Sequence, residues 1–269
     1  MEIFSDFPLP LGKMTAEEMH QKRLVMEESI FGLLKYKYLS YLKTWWLSYQ
    51  VPKISDKSIV IVERRIHPNL EFIIYNAAYF ARDWVITIVC SDINIDYIRS
   101  LLGPNTDSVR LIQMFEGNPE PAVGKNEYNY LLQSSEFYEA MPSENLLMME
   151  MDTYLRKPVG SDILKYDYVA APYSWDTSSL GGGLSFRKRS AMLSICSSFT
   201  DLEKAQDIYV LRGMKSLRYM IPPYEEAIHY FCESCYSKDP VGFHQWWTFF
   251  TIDNDNSESI FQAYMTLEL

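Results

Sequence analysis

Two acids stand one residue apart at the end of a wholly apolar run. The stretch "LLMMEMDTYLRKP", residues 146–158, carries Glu150 and Asp152. Alternate residues of an extended chain point the same way, so the two carboxylates can face one cation together, with Thr153 beside them. Oxygen ligands suit Mg²⁺ or Mn²⁺, ions that bridge carboxylates to a diphosphate. The other reading is a strand end that is solvated or paired with Arg156 or Lys157. Further along, His244 in "PVGFHQWWTFF" is either a packed core histidine or an imidazole ligand for the same ion. In "MIPPYEEAIHYF", Glu225 and Glu226 fall in the first turn of a helix, where the dipole favours carboxylates and where one could also serve as a general base. The tract "YSWDTSSLGGGLSFRKRSAM" offers Trp175 as a stacking face, Asp176 as a hydroxyl acceptor, and Gly181, Gly182 and Gly183 for close backbone approach or a flexible hairpin. A fifth group, His229, Cys232 and Cys235 in "HYFCESC", has helical spacing but lacks the fourth ligand of a usual zinc site.

The elements that must position these groups are legible from periodicity. Residues 15–49 contain no proline and open on Thr15 and Glu18 at capping-box spacing, which predicts one long helix or two. Their second half, "KYKYLSYLKTWWLSY", mixes Lys with Tyr, Trp and Leu. It suits packing on the main domain, or contact with a partner or membrane surface through residues 33–49. After a linker, "QVPKISDK", short β-rich runs alternate with helical stretches. Strands are expected at 58–63, 84–91, 109–115 and 145–152, and helices at 69–82, 94–102 and 126–141. Buried strands alternating with helices imply an α/β fold with a mostly parallel sheet, whose ligands bind beyond the carboxyl ends of the strands. The acids of "EMD" fall at such an end. No phosphate loop and no G-x-G-x-x-G is present.

Composition narrows the function classes. The 269 residues are 48% hydrophobic and 22% charged, enough apolar side chain for a substantial core. The formal charge of −10 argues against wrapping a nucleic-acid backbone, so no nucleic-acid partner is expected. Aromatics reach 15%, suited to core packing and to stacking on a nucleobase or sugar. The four Cys are too few and too scattered for a disulfide scaffold. With no membrane-span run and no charged leader before an apolar block at the start, a cytoplasmic location is expected.

Taken in order, "SIVIVERR", "WVITIVCSD", "YNYLLQSSEFYEAM", "EMD", "GGGLSFRKRSAM", "PPYEEAI" and "GFHQWW" resemble the GT-A class of nucleotide-sugar glycosyltransferases over residues 57–250. Within it they are most similar to a little-studied glycosyltransferase-like family of microbes and large DNA viruses. The resemblance implies a helical extension over 1–56 and a GT-A-like domain over 57–269. It implies transfer of a sugar from a nucleotide sugar, a UDP-sugar first, to a saccharide hydroxyl. Glu150, Asp152 and His244 would hold Mn²⁺ or Mg²⁺. Glu63, Arg65, Ser91, Asp92, Asn129, Tyr130 and Met151 would line the nucleotide-sugar site, and Trp175, Asp176, Gly182 and Gly183 the acceptor side. Glu225 or Glu226 would be the base of an inverting displacement. Glu150 departs from the more usual Asp at the first acid position. The competing expectations are a protein of the same fold that binds nucleotide sugar or glycan without turnover, and a scaffold acting through the aromatic helix; a homodimer is compatible with any of them.

Overall fold

The computed structural model describes residues 15–247 apart from 175, 177, 201, 204 and 236. The centre is a six-stranded sheet in the order β3-β2-β1-β4-β7-β6. Its strands are β1 (Lys57–Val62), β2 (Val85–Ser91), β3 (Arg110–Phe115), β4 (Asn145–Met149), β6 (Tyr168–Pro172) and β7 (Leu180–Lys188). Strands β1 to β4 are mutually parallel, and β7 runs against both β4 and β6, so it alone is reversed. A small second sheet, β5-β9-β8, joins β5 (Thr153–Leu155), β9 (Gly242–His244) and β8 (Phe231–Cys232). This is the mixed α/β architecture that the alternating pattern predicts.

Both faces of the sheet are covered, and the strand residues sort between two cores with period two. Ile59, Ile61, Ile86, Ile88, Leu147 and Met149 enter one core. Val60, Val62, Val89, Leu146 and Met148 enter the other. The first core is closed by α1 (Ala16–Leu34), α2 (Ser40–Ser48), α3 (Leu70–Phe80) and α4 (Ile95–Leu102). The second is closed by α6 (Ser135–Ala140), α7 (Arg189–Ser198) and α8 (Gln206–Ser216), with α5 (Pro121–Leu131) at its border. A last helix, α9 (Tyr224–Tyr230), leads into β8.

Several boundaries differ from the sequence expectations. The expected helix over 126–141 is two helices, because the chain turns after Leu131 and Ser134 caps the second by accepting from Phe137 N at 3.3 Å. The strand expected through residue 152 stops at Met149, and residues 151–152 turn back toward β5. Among the described residues, the helical segment from 16 to 48 is continuous through a π-helical stretch at Lys35–Leu39. Its capping box forms: Thr15 N donates to Glu18 Oε2 at 2.6 Å, and Glu18 N to Thr15 Oγ1 at 3.2 Å.

The aromatic half of that segment packs on the domain. Leu42 and Trp46 are buried, and the Trp46 indole donates to Leu102 O at 3.1 Å. Asn105 then accepts from Val51 N at 3.1 Å and donates to Tyr49 O at 3.0 Å, pinning the exit from α2. Tyr36, Tyr41 and Leu47 remain on the outward face. No helix among the described residues is long and apolar enough to cross a membrane.

Candidate active site

The acids lie where the parallel strands end. Glu150 N donates to Gly183 O at 2.9 Å, which carries the β4–β7 pairing one residue past the strand. The chain then turns, with Thr153 N 3.3 Å and Thr153 Oγ1 2.7 Å from Glu150 O. A turn, not an extended strand, therefore aims the two carboxylates, and Thr153 serves that turn instead of facing a cation. Register between β5 and β9 supplies the third group, because Thr153 pairs directly with His244. The next residue, Gln245, has φ +41 and fastens the turn: its backbone N donates to Asp152 O at 3.2 Å and its side-chain amide to Asp152 Oδ2. Positive φ at a non-glycine residue is a cost that surrounding contacts must offset.

Glu150, Asp152 and His244 each present a ligand atom, and these atoms lie within 4.8 Å of one another. His244 Nε2 is 3.5 Å from Asp152 Oδ1 and 3.9 Å from Glu150 Oε2. Asp152 Oδ1 and His244 Nε2 are buried without a hydrogen-bond partner. Buried polar atoms rarely stay unpaired, and two carboxylates converging with an imidazole form a donor set that a divalent cation satisfies. Behind the imidazole, Glu233 Oε2 stands 3.2 Å from His244 Nδ1, as an outer carboxylate does when it orients a metal-binding histidine. Burial opposes a charged His244, yet Glu233, Asp152 and Glu150 outweigh it and hold the pKa at about 10. Burial, then Asp152, pushes the Glu150 carboxyl up. Tyr128 on α5 donates to Glu150 Oε1 at 2.6 Å.

The glycine tract is part of β7, not a flexible hairpin, and each glycine makes room for a site side chain. A Cβ on Gly183 would lie 2.3 Å from His244 Nε2, one on Gly182 2.0 Å from Gln206 Nε2, and one on Gly181 2.3 Å from Glu233 Oε2. None of the three has positive φ; the requirement is close approach. Next to them Arg187 is fully buried and donates to Tyr138 Oη at 2.9 Å and Gln206 Oε1 at 2.7 Å, so β7, α6 and α8 are tied behind the tract.

A cavity of about 530 Å³ opens in front of the acids, lined by Glu63, Arg65, Met151, Glu150 and Asp152 among others. Glu63 receives Arg65 as a fork, through Nε at 2.8 Å and Nη2 at 2.7 Å. Arg64 also reaches this wall but is bound to Glu127 and to Glu116 O. Ser91, Asp92, Asn129, Tyr130 and Asp176 are not among the cavity's lining residues. Ser91 Oγ donates to Arg64 O at 2.5 Å and Asp92 accepts from Gly117 N at 2.8 Å, so both brace the loops behind the cavity. Asn129 is occupied between α5 and α8, accepting from Gln206 N at 2.8 Å, and Tyr130 points outward, 47% exposed. Asp176 closes its own turn on Ser178 and Ser179. Trp175 lies outside the described residues.

Glu226 is held beside the start of β6, and neither it nor Glu225 is among the residues that line the cavity. The α9 start follows Met220, whose carbonyl receives Asp167 N beside the first residue of β6, and Glu226 pairs with Lys165 and Tyr166 there. Strand β6 begins opposite Arg187, which pairs with Leu146 near the start of β4, so this is the amino edge. The general base at either glutamate, and the inverting course that rests on it, stay expectations of the sequence. The site residues that sequence reasoning missed are Tyr128, Gln206, Glu233 and Glu27. Glu233 was visible only as one of two residues between the cysteines, whose thiols donate to Cys235 O and Pro172 O. Glu27 comes from α1 and lines the cavity; burial and the Asp152 carboxylate push its carboxyl up to about 7.

Residues 112–244 match the model of a family described as "Protein of unknown function (DUF5672)". No curated protein matches the chain. Among solved structures, the chain is similar to the apo form of the glycosyltransferase GlyE from Streptococcus pneumoniae TIGR4, with 10% identity and a TM-score of 0.48. That alignment covers 79% of this chain and 64% of GlyE. It is also similar to the apo form of mouse xyloside xylosyltransferase 1, with 10% identity, a TM-score of 0.49, and coverage of 79% of this chain and 94% of that one.

Proposed function

We propose that this protein is a cation-dependent glycosyltransferase that moves a sugar from a nucleotide sugar, a UDP-sugar first, to a saccharide hydroxyl. The observation that carries the reading is the cluster of Glu150, Asp152 and His244, with its unpaired buried atoms, at the carboxyl edge of a mostly parallel sheet and on the wall of the cavity. Charge gives the cluster a purpose. Of the charged groups lining that cavity, Arg65 and Glu63 neutralise each other and Arg64 is paired with Glu127, which leaves the carboxyls of Glu27, Glu150 and Asp152 against Lys125. Such a wall repels a diphosphate unless a divalent ion stands between them.

Glu150, Asp152 and His244 would hold the ion, and the imidazole nitrogen in the set favours Mn²⁺ over Mg²⁺. Bound there, the ion supplies charge stabilisation to a departing nucleoside diphosphate. The protein's own residues do the positioning. Tyr128 orients Glu150, Gln245 orients Asp152, and Glu233 orients His244. Glu63 and Arg65, with Met151 between the two acids, form the wall assigned to the nucleotide, and Gly182 and Gly183 keep β7 slim beside it.

The test is nucleotide release from a panel of nucleotide sugars with candidate saccharide acceptors, in Mn²⁺ or in excess chelator, for the intact chain and for Asp152→Asn. Turnover of one donor, lost with chelator and reduced at least a hundredfold in the variant, is the expected outcome. Donor binding without turnover would make the protein a nucleotide-sugar binder, and turnover undiminished by chelator would remove the cation from the reading.

A further inference from the structure

The N-terminal helix contributes to the cavity as well as to the core. Glu27 on α1 lines the same cavity as Arg65 and Asp152. Its position is fixed through Asn69, whose Nδ2 donates to Glu27 Oε1 at 3.3 Å and to Met151 O, between the two acids, at 3.1 Å. Asn69 Oδ1 in turn accepts from Lys35 Nζ at 2.6 Å, so one buried amide ties two turns of the helical segment to the acid turn. Below Glu27 the helix is held by Met26, Ile30 and Phe31 in the core, which makes its cavity-facing side a rigid wall.

Glu27 is outside the cation cluster, which comprises Glu150, Asp152 and His244 alone among the described residues. Asn69 is its single hydrogen-bond partner among them, and only Oε1 is used. A carboxylate facing a cavity beside a cation site repels the phosphates that the cation attracts, so the part of a ligand facing Glu27 carries no phosphate charge. A sugar hydroxyl suits the carboxyl in either protonation state, because a hydroxyl both donates and accepts.

We propose that Glu27 binds a sugar hydroxyl of the nucleotide-sugar donor, so that α1 forms a selectivity wall of the site. The proposal rests on the glycosyltransferase reading and names a contact which that reading does not contain. The hydroxyl belongs either to the ribose or to the sugar being transferred.

Calorimetric titration with Mn²⁺ present separates these sources. The ligands are the nucleotide sugar that wild-type protein binds, from UDP-glucose, UDP-galactose, UDP-N-acetylglucosamine and GDP-mannose, its nucleoside diphosphate, and the 2′- and 3′-deoxyribose forms of that diphosphate. Glu27→Ala is expected to weaken the nucleotide sugar about tenfold or more, as loss of a hydrogen bond to a charged group does. Mn²⁺ affinity, read by electron paramagnetic resonance, should change by less than threefold. An equal loss for the diphosphate, absent for one deoxyribose form, places the contact on the ribose; a loss confined to the nucleotide sugar places it on the transferred sugar. Glu27→Gln, which keeps the shape and the Asn69 contact, should lose less than Glu27→Ala. Unchanged affinity for every ligand in both variants overturns the proposal while leaving the glycosyltransferase reading standing. Wild-type protein that binds none of the nucleotides in Mn²⁺ overturns the glycosyltransferase reading, and the Glu27 contact with it.

Discussion

Glu233 shows how one residue acts through another. Its carboxylate is 3.2 Å from His244 Nδ1 and does not belong to the three-residue cation cluster, so its effect on a cation passes through the orientation and basicity of the imidazole. Glu233→Gln keeps the shape and removes the charge. Mn²⁺ affinity of that variant is expected to fall 10- to 100-fold, on the order found for outer-shell partners of metal-binding histidines. Paramagnetic resonance titration reads this directly, and wild-type affinity would show that Glu233 only fills space. No feature of "HYFCESC" marks this glutamate, because the contact is with a residue 11 positions later on a neighbouring strand. Asp152 was legible in the sequence for the opposite reason: an acid ending an apolar run is a local pattern.

At the scale of elements, the site depends on two registers. One sets Thr153 of β5 against His244 of β9; the other sets Met149 of β4 against Leu184 of β7, which brings Gly183 under the imidazole. Gly183→Ala would insert a methyl group 2.3 Å from His244 Nε2, on a strand held on both sides. The ring must swing away from the acids, so cation affinity should drop at least tenfold, and overpacking of this kind costs about 1–3 kcal/mol of stability. Chemical denaturation beside the Mn²⁺ titration checks both. A variant with normal affinity would mean that the ring has a second productive position. Strand identity and the alternation of apolar faces were readable because period-two burial is written in the chain. The role of the glycines was not, since close approach involves a side chain about 60 positions away.

For the whole molecule, the helical segment before β1 shares its core with the sheet. Phe31 is 1% exposed and meets Phe72, Tyr154 and Trp247 edge to face, with ring centroids 5.9 to 6.2 Å apart. Phe31→Ala should therefore cost about 3–5 kcal/mol. Urea unfolding followed by circular dichroism and by tryptophan fluorescence should show one earlier transition common to both probes. Two transitions, with the later at the wild-type midpoint, would mean that the extension folds apart from the sheet. By itself, the sequence determined the α/β class, most element positions, the capping box and the acids at the carboxyl end of β4, because these follow from local preference and periodic burial. Tertiary structure decided which other side chains meet those acids. It seated His244 beside them, drew in Glu233, Tyr128 and Glu27, and left Glu225 and Glu226 off the cavity wall, because side-chain convergence depends on strand register and helix placement between distant segments.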